Sequence, residues 1–502
     1  MHRSAARWAA DDIMDIEELT GFAKRAGFFW PAADIYGGVS GIFDYGHNGA
    51  MVKRRFEQLW LSYFVLKNQD YHLIDGSTIL PEKPLVASGH AERFNDIIVG
   101  CSRCKSYFRA DVMLSDMGIE VHDGATAEEI SGIIKEKGVR CPKCSGELME
   151  PKAFNMMIDV SLGPERADKG YLRPETAQSA YMNFFREFSI TRKRLPMGLA
   201  LIGRAYRNEI SPRQGLFRLR ELTQAELQIF FDPEKFDGEC GNLEGRKMLV
   251  ALYPSTNETE ISSEELVAKG IPKFYVRHME LIDRFYHEIL GIPRGRFRFF
   301  EKGGNDKAFY NRVHMDLEVM VESWGGFKEV GGLHYRGDYD LTAHTKGSSQ
   351  DLSVSVEGRR FMPNVLELSF GVDRNIWMLV DVFLRKDGDR SVLLLPSGLA
   401  PYDAAVFPLQ GSGELEAKAK EISSALGSRF RIFFDRSGSI GKRYARMDEI
   451  GTPMCITIDF DTIDGKSDKQ GTVTVRARDD RSQERVEIGK LEDYILGKRS
   501  FA

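Results

Sequence analysis

Two pairs of cysteines in this sequence have the spacing of a metal site: Cys101-Ser-Arg-Cys104 and Cys141-Pro-Lys-Cys144. Each CxxC turn points two thiolates at one centre, and two such turns complete the tetrahedron that Zn²⁺ prefers. The spacing therefore predicts a structural zinc site with four thiolate ligands. The alternatives are two disulfides or free thiols, and a reducing compartment disfavours the disulfides.

A second set of reactive residue types lies in segment 206–226, where arginines and carboxylates alternate with apolar residues. Ser211, Pro212 and Gly215 are typical of a loop between two strands, so the segment is predicted to form an extended hairpin. Because side chains alternate between the faces of a strand, Arg207 and Glu209 share a face. The same holds for Arg218, Arg220, Leu222, Gln224 and Glu226. Such rows could bind an anionic substrate or form a solvated face of salt bridges, and this segment alone leaves both open.

Two further segments add residues of the same types. The predicted strand over 365–371 places Glu367 and Ser369 on one face, and it runs directly into a helix whose first turn holds Arg374. The helix dipole disfavours a cation in that turn, so a polyanionic ligand explains Arg374 better than helix stability does. The segment 329–338 contributes Glu329 and Arg336 beside glycines that allow close packing.

The elements that must position these residues follow from the apolar periodicity. Helices are predicted over about 15–26, 49–67, 126–137, 376–384 and 414–426. Strands dominate 154–232 and 296–374, and after residue 390 short strands alternate with helices, which indicates an α/β domain. A chain of 502 residues is too long for one hydrophobic core, so two or more domains are expected.

Composition narrows the function only slightly. The chain is 42% apolar and 28% charged, as in an ordinary globular protein, and its net charge of −5 does not by itself predict a nucleic-acid binder. A small basic surface can still bind RNA. The first thirty residues contain five acids and no long apolar core, and no later apolar run could span a bilayer. A cytoplasmic location without a membrane partner is therefore expected.

Four motifs carry a resemblance to a known family. They are Arg-Pro-Glu-Thr-Ala-Gln at 173–178, Arg-Asn-Glu-Ile-Ser-Pro-Arg at 207–213, Gly-Val-Asp-Arg at 371–374 and Ser-Gly-Ser-Ile-Gly-Lys-Arg-Tyr-Ala-Arg at 437–446. Together they resemble class II aminoacyl-tRNA synthetases and, among these, the dimeric glycyl-tRNA synthetases. The resemblance runs from about residue 15 to the C-terminus and is interrupted mainly at the cysteine segment and at 233–300.

The resemblance implies an α+β fold: an antiparallel-sheet catalytic domain of class II type with a zinc module and a helical insertion, plus a C-terminal α/β anticodon-binding domain. The expected parts, in order, are a first catalytic part with a dimer-forming segment (1–100), the zinc insertion (101–150), the core with the arginine-x-glutamate hairpin (151–232), the helical insertion (233–300), a second catalytic part (301–388) and the anticodon-binding domain (389–502).

The family's chemistry couples the glycine carboxylate to the α-phosphate of ATP and then acylates the terminal ribose of tRNA(Gly). By similarity, Arg207 bridges the α-phosphate and the carboxylate, and Glu209 orients the adenine end. Arg374, joined by Arg218, binds the γ-phosphate of a bent ATP, and Glu329 helps to hold Mg²⁺. Arg207 and Arg374 are thus the expected catalytic residues, and a homodimer is implied by the resemblance alone.

The expected amino-acid pocket contains three acids around the substrate ammonium: Glu175, Glu226 and Glu367. Arg336 is expected on the substrate carboxylate and Ser369 against the α-carbon. Glycine has no side chain to recognise, so selection must exclude even a methyl group. For each of these residues, a purely structural ion pair is the alternative.

The sequence departs from the family pattern at two places. Leu222 stands where a phenylalanine that stacks on adenine is expected, and His47 stands where proline is expected. Leucine can still pack on the base, but the aromatic stacking is lost. Candidate contacts to the anticodon are Asp435, Arg446, Glu449, Arg478 and Asp480. Surface salt bridges are the alternative for each of them.

Two alternatives to this function remain at the level of sequence. One is a sibling class II synthetase for another small amino acid, against which the three acids argue. The other is a non-catalytic tRNA-binding paralogue, which would be expected to lack the phosphate arginines Arg207, Arg218 and Arg374 that this chain retains.

Overall fold

The structure is a computed structural model that describes residues 14–122, 124–164, 168–210, 212, 214–303, 311–388, 390–411, 413–464 and 468–498. Ser211 of the predicted hairpin loop lies outside the described residues, and so do residues 1–13.

The described helices are α1 (Ile16–Arg25), α2 (His47–Phe64), α3 (Glu82–Ala87), α4 (His90–Arg93), α5 (Ala110–Ser115), α6 (Ala127–Glu136), α7 (Ala177–Ile190), α8 (Phe236–Glu239), α9 (Ser263–Ala268), α10 (Lys273–Arg284), α11 (Tyr339–Ser348), α12 (Val372–Phe383), α13 (Gly413–Leu426), α14 (Ile440–Glu449), α15 (Phe460–Ile463) and α16 (Leu491–Lys498).

The described strands are β1 (Phe29–Pro31), β2 (Phe43–Tyr45), β3 (Tyr71–Leu73), β4 (Ile79–Pro81), β5 (Asn95–Gly100), β6 (Tyr107–Arg109), β7 (Lys152–Asn155), β8 (Ile158–Leu162), β9 (Asp168–Leu172), β10 (Met197–Tyr206), β11 (Glu221–Phe231), β12 (Lys247–Ala251), β13 (Thr259–Ser262), β14 (Phe297–Glu301), β15 (Val313–Val321), β16 (Gly326–Gly337), β17 (Val354–Val356), β18 (Arg359–Phe361), β19 (Asn364–Gly371), β20 (Leu384–Asp387), β21 (Arg390–Leu393), β22 (Ala404–Pro408), β23 (Ile432–Phe434), β24 (Met454–Ile458), β25 (Thr472–Ala477) and β26 (Gln483–Glu487).

A nine-stranded sheet forms the centre of the molecule, in the order β13-β12-β14-β15-β16-β19-β11-β10-β3. The pairings from β14 to β10 are all antiparallel, and only β12–β14 and β10–β3 are parallel. This confirms the predicted antiparallel catalytic sheet. The strands that carry the expected site residues, β16, β19 and β11, lie side by side in its middle.

The two faces of this sheet differ in chemistry. One face carries alternate apolar residues of β11 and β19, such as Leu227 and Phe370, which pack under α2 and α12 with Trp60 and Trp377. On the other face α7 covers one end, with Tyr181 buried against the strands. The remainder of that second face carries polar side chains, so a binding site can form there on the sheet.

Local signals explain the helices that were predicted. Asp15 caps α1 by accepting a hydrogen bond from the Glu18 amide at 2.8 Å. Thr126 and Glu129 form a reciprocal capping box at the start of α6. The predicted helices over 15–26, 49–67, 126–137, 376–384 and 414–426 correspond to α1, α2, α6, α12 and α13 within a few residues.

Two details of the prediction are wrong. The segment 233–300 is not simply a helical insertion, because β12 and β13 extend the central sheet and α10 packs its apolar face into the same core. Short strands at a sheet edge leave too little periodicity to be told from helix. The hairpin also has shorter strands than expected: β10 ends at Tyr206 and β11 begins at Glu221. The described residues of segment 207–220 therefore form a loop, and we call this segment the arginine loop below.

The cysteine segment folds as a small separate unit. Strands β5, β6 and β7 form a three-stranded sheet, and α5 and α6 pack on it around a core that includes Val99, Leu114 and Ile130. Residues 90–96 lead from the central domain into this unit, and β7 leads out of it.

The C-terminal part has a five-stranded sheet in the order β23-β22-β24-β25-β26. The first three strands are parallel and the last two pair antiparallel. The predicted strands and the helix over 414–426 are present, whereas α14, β26 and α16 were not anticipated. Arg55 of α2 binds Asp403 at 3.1 Å and ties this domain to the central one.

Within the described ranges, no helix is both long and apolar enough to cross a membrane.

Candidate active site

The register of the central sheet brings two of the expected acids together. Glu226 of β11 lies directly opposite Ser369 of β19, and Glu367 precedes Ser369 by two residues on the same face. The Ser369 hydroxyl donates to Glu226 Oε1 at 2.8 Å. Glu175 approaches from the residues just before α7, and we call the group Glu175, Glu226, Glu367 and Ser369 the acid pocket.

Glu226 is buried and held from three sides. Its Oε2 accepts from the Thr176 hydroxyl at 2.5 Å, and its Oε1 accepts from the Gln224 side-chain amide at 2.9 Å as well as from Ser369. Burial, together with the charges of Glu367 and Glu175, raises the pKa of Glu226 to about 7. A cation entering the pocket would therefore favour ionisation of this group.

Glu367 is fixed by a buried arginine. Arg336 donates to Glu367 Oε2 at 2.6 Å and binds Asp340 through two bonds of 2.8 and 3.0 Å. His334 Nδ1 lies 3.4 Å from the same Glu367 oxygen. Burial raises the pKa of Glu367, but Arg336 and His334 outweigh it and lower that pKa to about 2. Glu367 thus keeps its charge.

Glu175 is held in a similar way. His90 Nε2 lies 3.4 Å from Glu175 Oε2, and the side-chain amide of Gln178 donates to Glu175 Oε1 at 2.8 Å. The Gln178 oxygen in turn contacts His344 Nε2 at 2.8 Å. Burial alone would raise the pKa of Glu175, but His90, Arg336 and Gln178 hold it well below its usual range.

The acid pocket is therefore a small, buried and anionic site with fixed walls. Two carboxylates whose pKa values are lowered and one whose pKa is raised to about 7 lie close enough to influence one another's ionisation. Buried charge without a full complement of counter-charges favours a small cation with several N–H donors.

A second cleft lies at the other end of the same face. Five residues that the sequence predicted for a nucleotide line it together with Phe217, Thr223 and Asp373: Arg207, Glu209, Arg218, Leu222 and Arg374. We call it the arginine cleft.

The arginine loop brings its charged residues together by folding back, not by strand alternation. Arg218 Nε donates to Glu209 Oε2 at 2.6 Å, although the two are nine residues apart. The backbone amide of Arg207 donates to the Arg220 carbonyl at 2.9 Å, and the Arg207 side chain donates to the Pro174 carbonyl at 3.3 Å. The predicted proximity is correct, but its structural cause differs from the one predicted.

Arg374 occupies the first turn of α12, as predicted. It donates to the Phe217 carbonyl at 3.1 Å and to Glu329 Oε1 at 2.7 Å. Glu329 is 49% exposed, so this pair is open to a ligand. The neighbouring Asp373 is buried and accepts from Lys53 at 2.8 Å and from the Thr223 amide at 2.5 Å, which fixes the start of the helix.

The four predicted metal ligands meet at one point. The Sγ atoms of Cys101, Cys104, Cys141 and Cys144 all lie within 4.8 Å of one another, with 3.5 Å between Cys101 and Cys144 and 3.7 Å between Cys104 and Cys141. An ion with bonds of about 2.3 Å to four tetrahedral sulfurs separates them by about 3.8 Å. The donor set and its dimensions fit Zn²⁺, and among the described residues no other cluster of this kind occurs.

The candidate anticodon residues do not form one site. Asp435 follows β23 at the carboxyl end of the parallel strands and binds Arg446, while Arg478 and Asp480 follow β25 at the opposite end. Arg478 is buried and donates to the carbonyls of Gly451 at 2.7 Å and Leu395 at 2.8 Å. Its guanidinium is therefore used inside the domain, and a contact of Arg478 with RNA would have to replace these hydrogen bonds.

Several functional partners were not predicted. Gln224 follows from strand alternation and Thr176 lies in a motif already quoted, so their signals were present in the sequence. His90 and Asp340 carried no such signal, because their relation to the acids exists only in the folded chain.

Comparisons with known proteins agree with this arrangement. The family model described as "tRNA synthetase class II core domain (G, H, P, S and T)" matches residues 160–383, and the model described as "Anticodon binding domain" matches residues 403–498. The glycine–tRNA ligase of Aeropyrum pernix is 36% identical, over 97% of this chain and 97% of its own length. That of Pyrococcus horikoshii is 36% identical over 96% and 99%, and that of Methanothermobacter thermautotrophicus 34% over 93% and 96%.

Proposed function

The chain belongs to the family of glycine–tRNA ligases, and from that premise we propose that it activates glycine with ATP and transfers it to tRNA(Gly). In the first step a glycine carboxylate oxygen attacks the α-phosphorus of ATP, and pyrophosphate leaves. In the second step a hydroxyl of the terminal ribose attacks the carbonyl carbon of the adenylate, and AMP leaves. Positioning and charge neutralisation supply most of the catalysis.

The placement of the two pockets along one strand carries this proposal. Leu222 of the arginine cleft and Glu226 of the acid pocket lie on the same face of β11, four residues apart. At the rise of a strand this separation is about 13 Å. An aminoacyl adenylate, with its base at one end and its ammonium at the other, can span two pockets at this separation.

The acid pocket selects glycine in this proposal. Glu175, Glu226 and Glu367 receive the ammonium, and Ser369 stands against the α-carbon. Glu226 and Glu367 are buried, and hydrogen bonds fix Glu226 to Thr176 and Ser369, so a larger side chain could enter only by displacing these groups. Exclusion of this kind needs no second editing site.

The role of Arg336 is revised in this proposal. Asp340 and Glu367 already occupy its guanidinium, and the residue is only 4% exposed. We therefore assign Arg336 to positioning Glu367, and the substrate carboxylate to Arg207.

The arginine cleft binds ATP in this proposal. Arg207 contacts the α-phosphate, Arg218 and Arg374 contact the outer phosphates, Glu209 orients the adenine end and Leu222 packs on the base. The planar guanidinium suits phosphate oxygens because it donates two parallel hydrogen bonds. Glu329 fits a Mg²⁺ that uses one carboxylate and the phosphates as ligands; the ion would neutralise the charge that develops on the leaving pyrophosphate.

The remaining partners complete the proposal. The four cysteines hold a structural Zn²⁺, which metal analysis of the purified protein should detect at about one ion per chain. The C-terminal domain binds the anticodon near Asp435 and Arg446, where phosphates and cytosine amines can be contacted. Glu449 and Asp480 are retained as weaker candidates. The homodimer and the cytoplasmic location that the family resemblance implies are part of the same proposal.

The test is ATP–pyrophosphate exchange with glycine, alanine and serine, on the wild type and on Glu175→Ala. Exchange with glycine alone, weakened by the substitution, is expected. Exchange with alanine or serine instead would indicate a sibling synthetase and overturn the substrate. No exchange with any of them, from a folded protein, would favour the non-catalytic paralogue.

A further inference from the structure

Three side chains on residues 90–96, the entry segment of the cysteine unit, reach the polar face of the central sheet. The segment consists of α4 and the start of β5. We infer that the entry segment is part of the active site, in which His90, Phe94 and Asp96 each position one substrate-contacting residue. This inference rests on the proposed function.

His90 positions an acid of the acid pocket. Its Nε2 lies 3.4 Å from Glu175 Oε2, and its Nδ1 lies 2.8 Å from the Ser88 hydroxyl. With both ring nitrogens in contact, the imidazole has one defined orientation. Glu175 is thereby held from the side opposite Gln178, so its two oxygens have separate partners.

Phe94 positions the arginine expected at the reacting phosphate. The Arg207 guanidinium lies 5.4 Å from the centre of the Phe94 ring, within the range of a cation–π contact. Among the described residues, the only hydrogen-bond acceptor of this side chain is the Pro174 carbonyl. The ring of Phe94 also packs on that of His90, with 5.6 Å between centres, so the two side chains support each other.

Asp96 positions the second arginine of the cleft. Its Oδ2 accepts from Arg218 Nη2 at 3.2 Å, while Arg218 Nε is bound by Glu209 at 2.6 Å. Arg218 is thus fixed between two carboxylates on two of its three nitrogens. The third nitrogen, Nη1, has no hydrogen-bond partner within the described part of the chain. Arg218 itself lines the cleft.

The backbone holds the entry segment against the arginine loop. The Asn155 side-chain amide donates to the Ala91 carbonyl at 3.0 Å, and the Met156 amide donates to the Phe94 carbonyl at 3.0 Å. The Met156 carbonyl accepts from the Asn208 amide at 2.7 Å. The chain leaving the cysteine unit therefore ties the segment entering it to the loop that carries Arg207 and Arg218.

Each contact serves a different part of the substrates, so the three effects should be separable. Loss of the His90 contact should raise the KM for glycine, loss of the Asp96 contact should raise the KM for ATP, and loss of the Phe94 ring should lower kcat. A segment that merely stabilised the fold would instead lower the active fraction and leave both KM values unchanged.

The test is steady-state ATP–pyrophosphate exchange on His90→Gln, Phe94→Leu and Asp96→Asn. Glu92→Gln is the matched control, because this acid lies on the same segment and is exposed. Asp96→Asn should raise the KM for ATP about tenfold, with the KM for glycine within about twofold, since a hydrogen bond between charged groups is lost. His90→Gln should raise the KM for glycine about tenfold and leave the KM for ATP within about twofold, and Phe94→Leu should lower kcat about tenfold.

Asp96→Glu keeps the charge and should recover part of the ATP affinity, which distinguishes positioning from general damage. The inference is overturned if Asp96→Asn leaves the KM for ATP unchanged or lowers it. It is also overturned if Asp96→Asn and His90→Gln lower only kcat, and do so in proportion to a fall in the melting temperature. It is also overturned if Glu92→Gln behaves like Asp96→Asn. Absence of glycine-dependent exchange in the folded wild type would refute the proposed function, a separate result.

Discussion

The acid pocket and the arginine cleft share one face of one sheet, yet they are built in opposite ways. The acid pocket stands mainly on strands, and Glu226 and Glu367 are 2% and 3% exposed. The arginine cleft stands on the arginine loop and on the first turn of α12, and the Arg374 side chain is 29% exposed. Glu226 and Glu367 receive hydrogen bonds from neutral groups and one buried arginine, whereas Arg218 binds the Glu209 carboxylate and Arg374 binds that of Glu329.

This difference matches what each pocket must do in the proposed reaction. Rejecting a methyl group requires walls that do not yield, and residues on neighbouring strands give the most precise geometry. A triphosphate is long and flexible, and its pyrophosphate part must leave again. Arg218 and Arg374 are already paired with the carboxylates of Glu209 and Glu329, so they can turn to such a ligand and return to these partners when it leaves.

The largest effect is expected at Arg207, which lines the arginine cleft and donates to the carbonyl of Pro174, the residue before Glu175 of the acid pocket. Arg207→Ala should lower kcat for exchange about a thousandfold, because charge developing at the α-phosphate loses its donor. Arg207→Lys should recover only part of this, since an ammonium cannot donate two parallel bonds. Exchange kinetics at saturating glycine and ATP measure kcat for both variants.

The control for Arg207 is Arg186→Ala, an exposed arginine on α7. If Arg207→Ala changed the KM for glycine or ATP and left kcat intact, Arg207 would act in binding alone.

The next effect is expected in the acid pocket. Glu367→Gln should raise the KM for glycine about 30-fold, because a charged hydrogen-bond acceptor for the ammonium is lost. The KM for ATP should change little, since Glu367 does not line the arginine cleft. Glycine and ATP titrations of the exchange reaction separate the two constants.

Glu367→Gln also leaves Arg336 with one charged partner fewer, so a lower melting temperature is expected as well. Glu136→Gln, on an exposed position of α6, is the control for loss of a single carboxylate. Equal changes in both KM values would contradict the separation of the pockets.

A third effect should distinguish the pockets by pH. The pKa of Glu226 is raised from 4.5 to about 7, and the ammonium binds the ionised form. The KM for glycine should therefore rise about tenfold as the pH falls from about 8 to about 6, as the fraction ionised decreases. Arginine stays charged throughout, so the KM for ATP should change far less.

The same group makes the free energy of unfolding fall with rising pH. Because the folded-state pKa of Glu226 lies above the value of 4.5 for an unperturbed carboxyl, its stabilising contribution is complete below about pH 4.5 and is lost as the pH rises through about 7. Glu226→Gln should flatten both profiles. A steep glycine profile in that variant would assign the titration to another group.

The two pockets also differ in how far the sequence could predict them. In the acid pocket, period-two alternation placed Glu226 with Gln224 and Glu367 with Ser369, and the sheet register then joined the pairs. For the cleft, the alternation argument failed, because Arg207 and Arg218 lie on a loop that folds back. The prediction that these two arginines lie near each other rested on the family resemblance.

Other features lay beyond sequence reasoning for a physical reason. Asp96 is far along the chain from Arg218, and no spacing rule relates residues that meet only through tertiary packing. Arg478 shows the converse: an arginine looks the same in sequence whether it faces RNA or binds carbonyls inside the domain. Burial decides between these, and burial of single polar residues is set by the whole fold.

The smallest effect is expected at Leu222, where the cleft departs from the family pattern. The side chain is partly buried against the core and lines the cleft, so a larger aromatic ring would extend over the nucleotide instead of into the packed interior. Leu222→Phe should lower the KM for ATP about threefold, because stacking adds up to about 1 kcal/mol to the contact. Leu222→Ala should raise it, and both variants should leave the KM for glycine unchanged. A Leu222→Phe variant that weakened ATP binding would mean that leucine already fills the cleft. A change in the affinity for glycine would mean that β11 transmits strain from one pocket to the other.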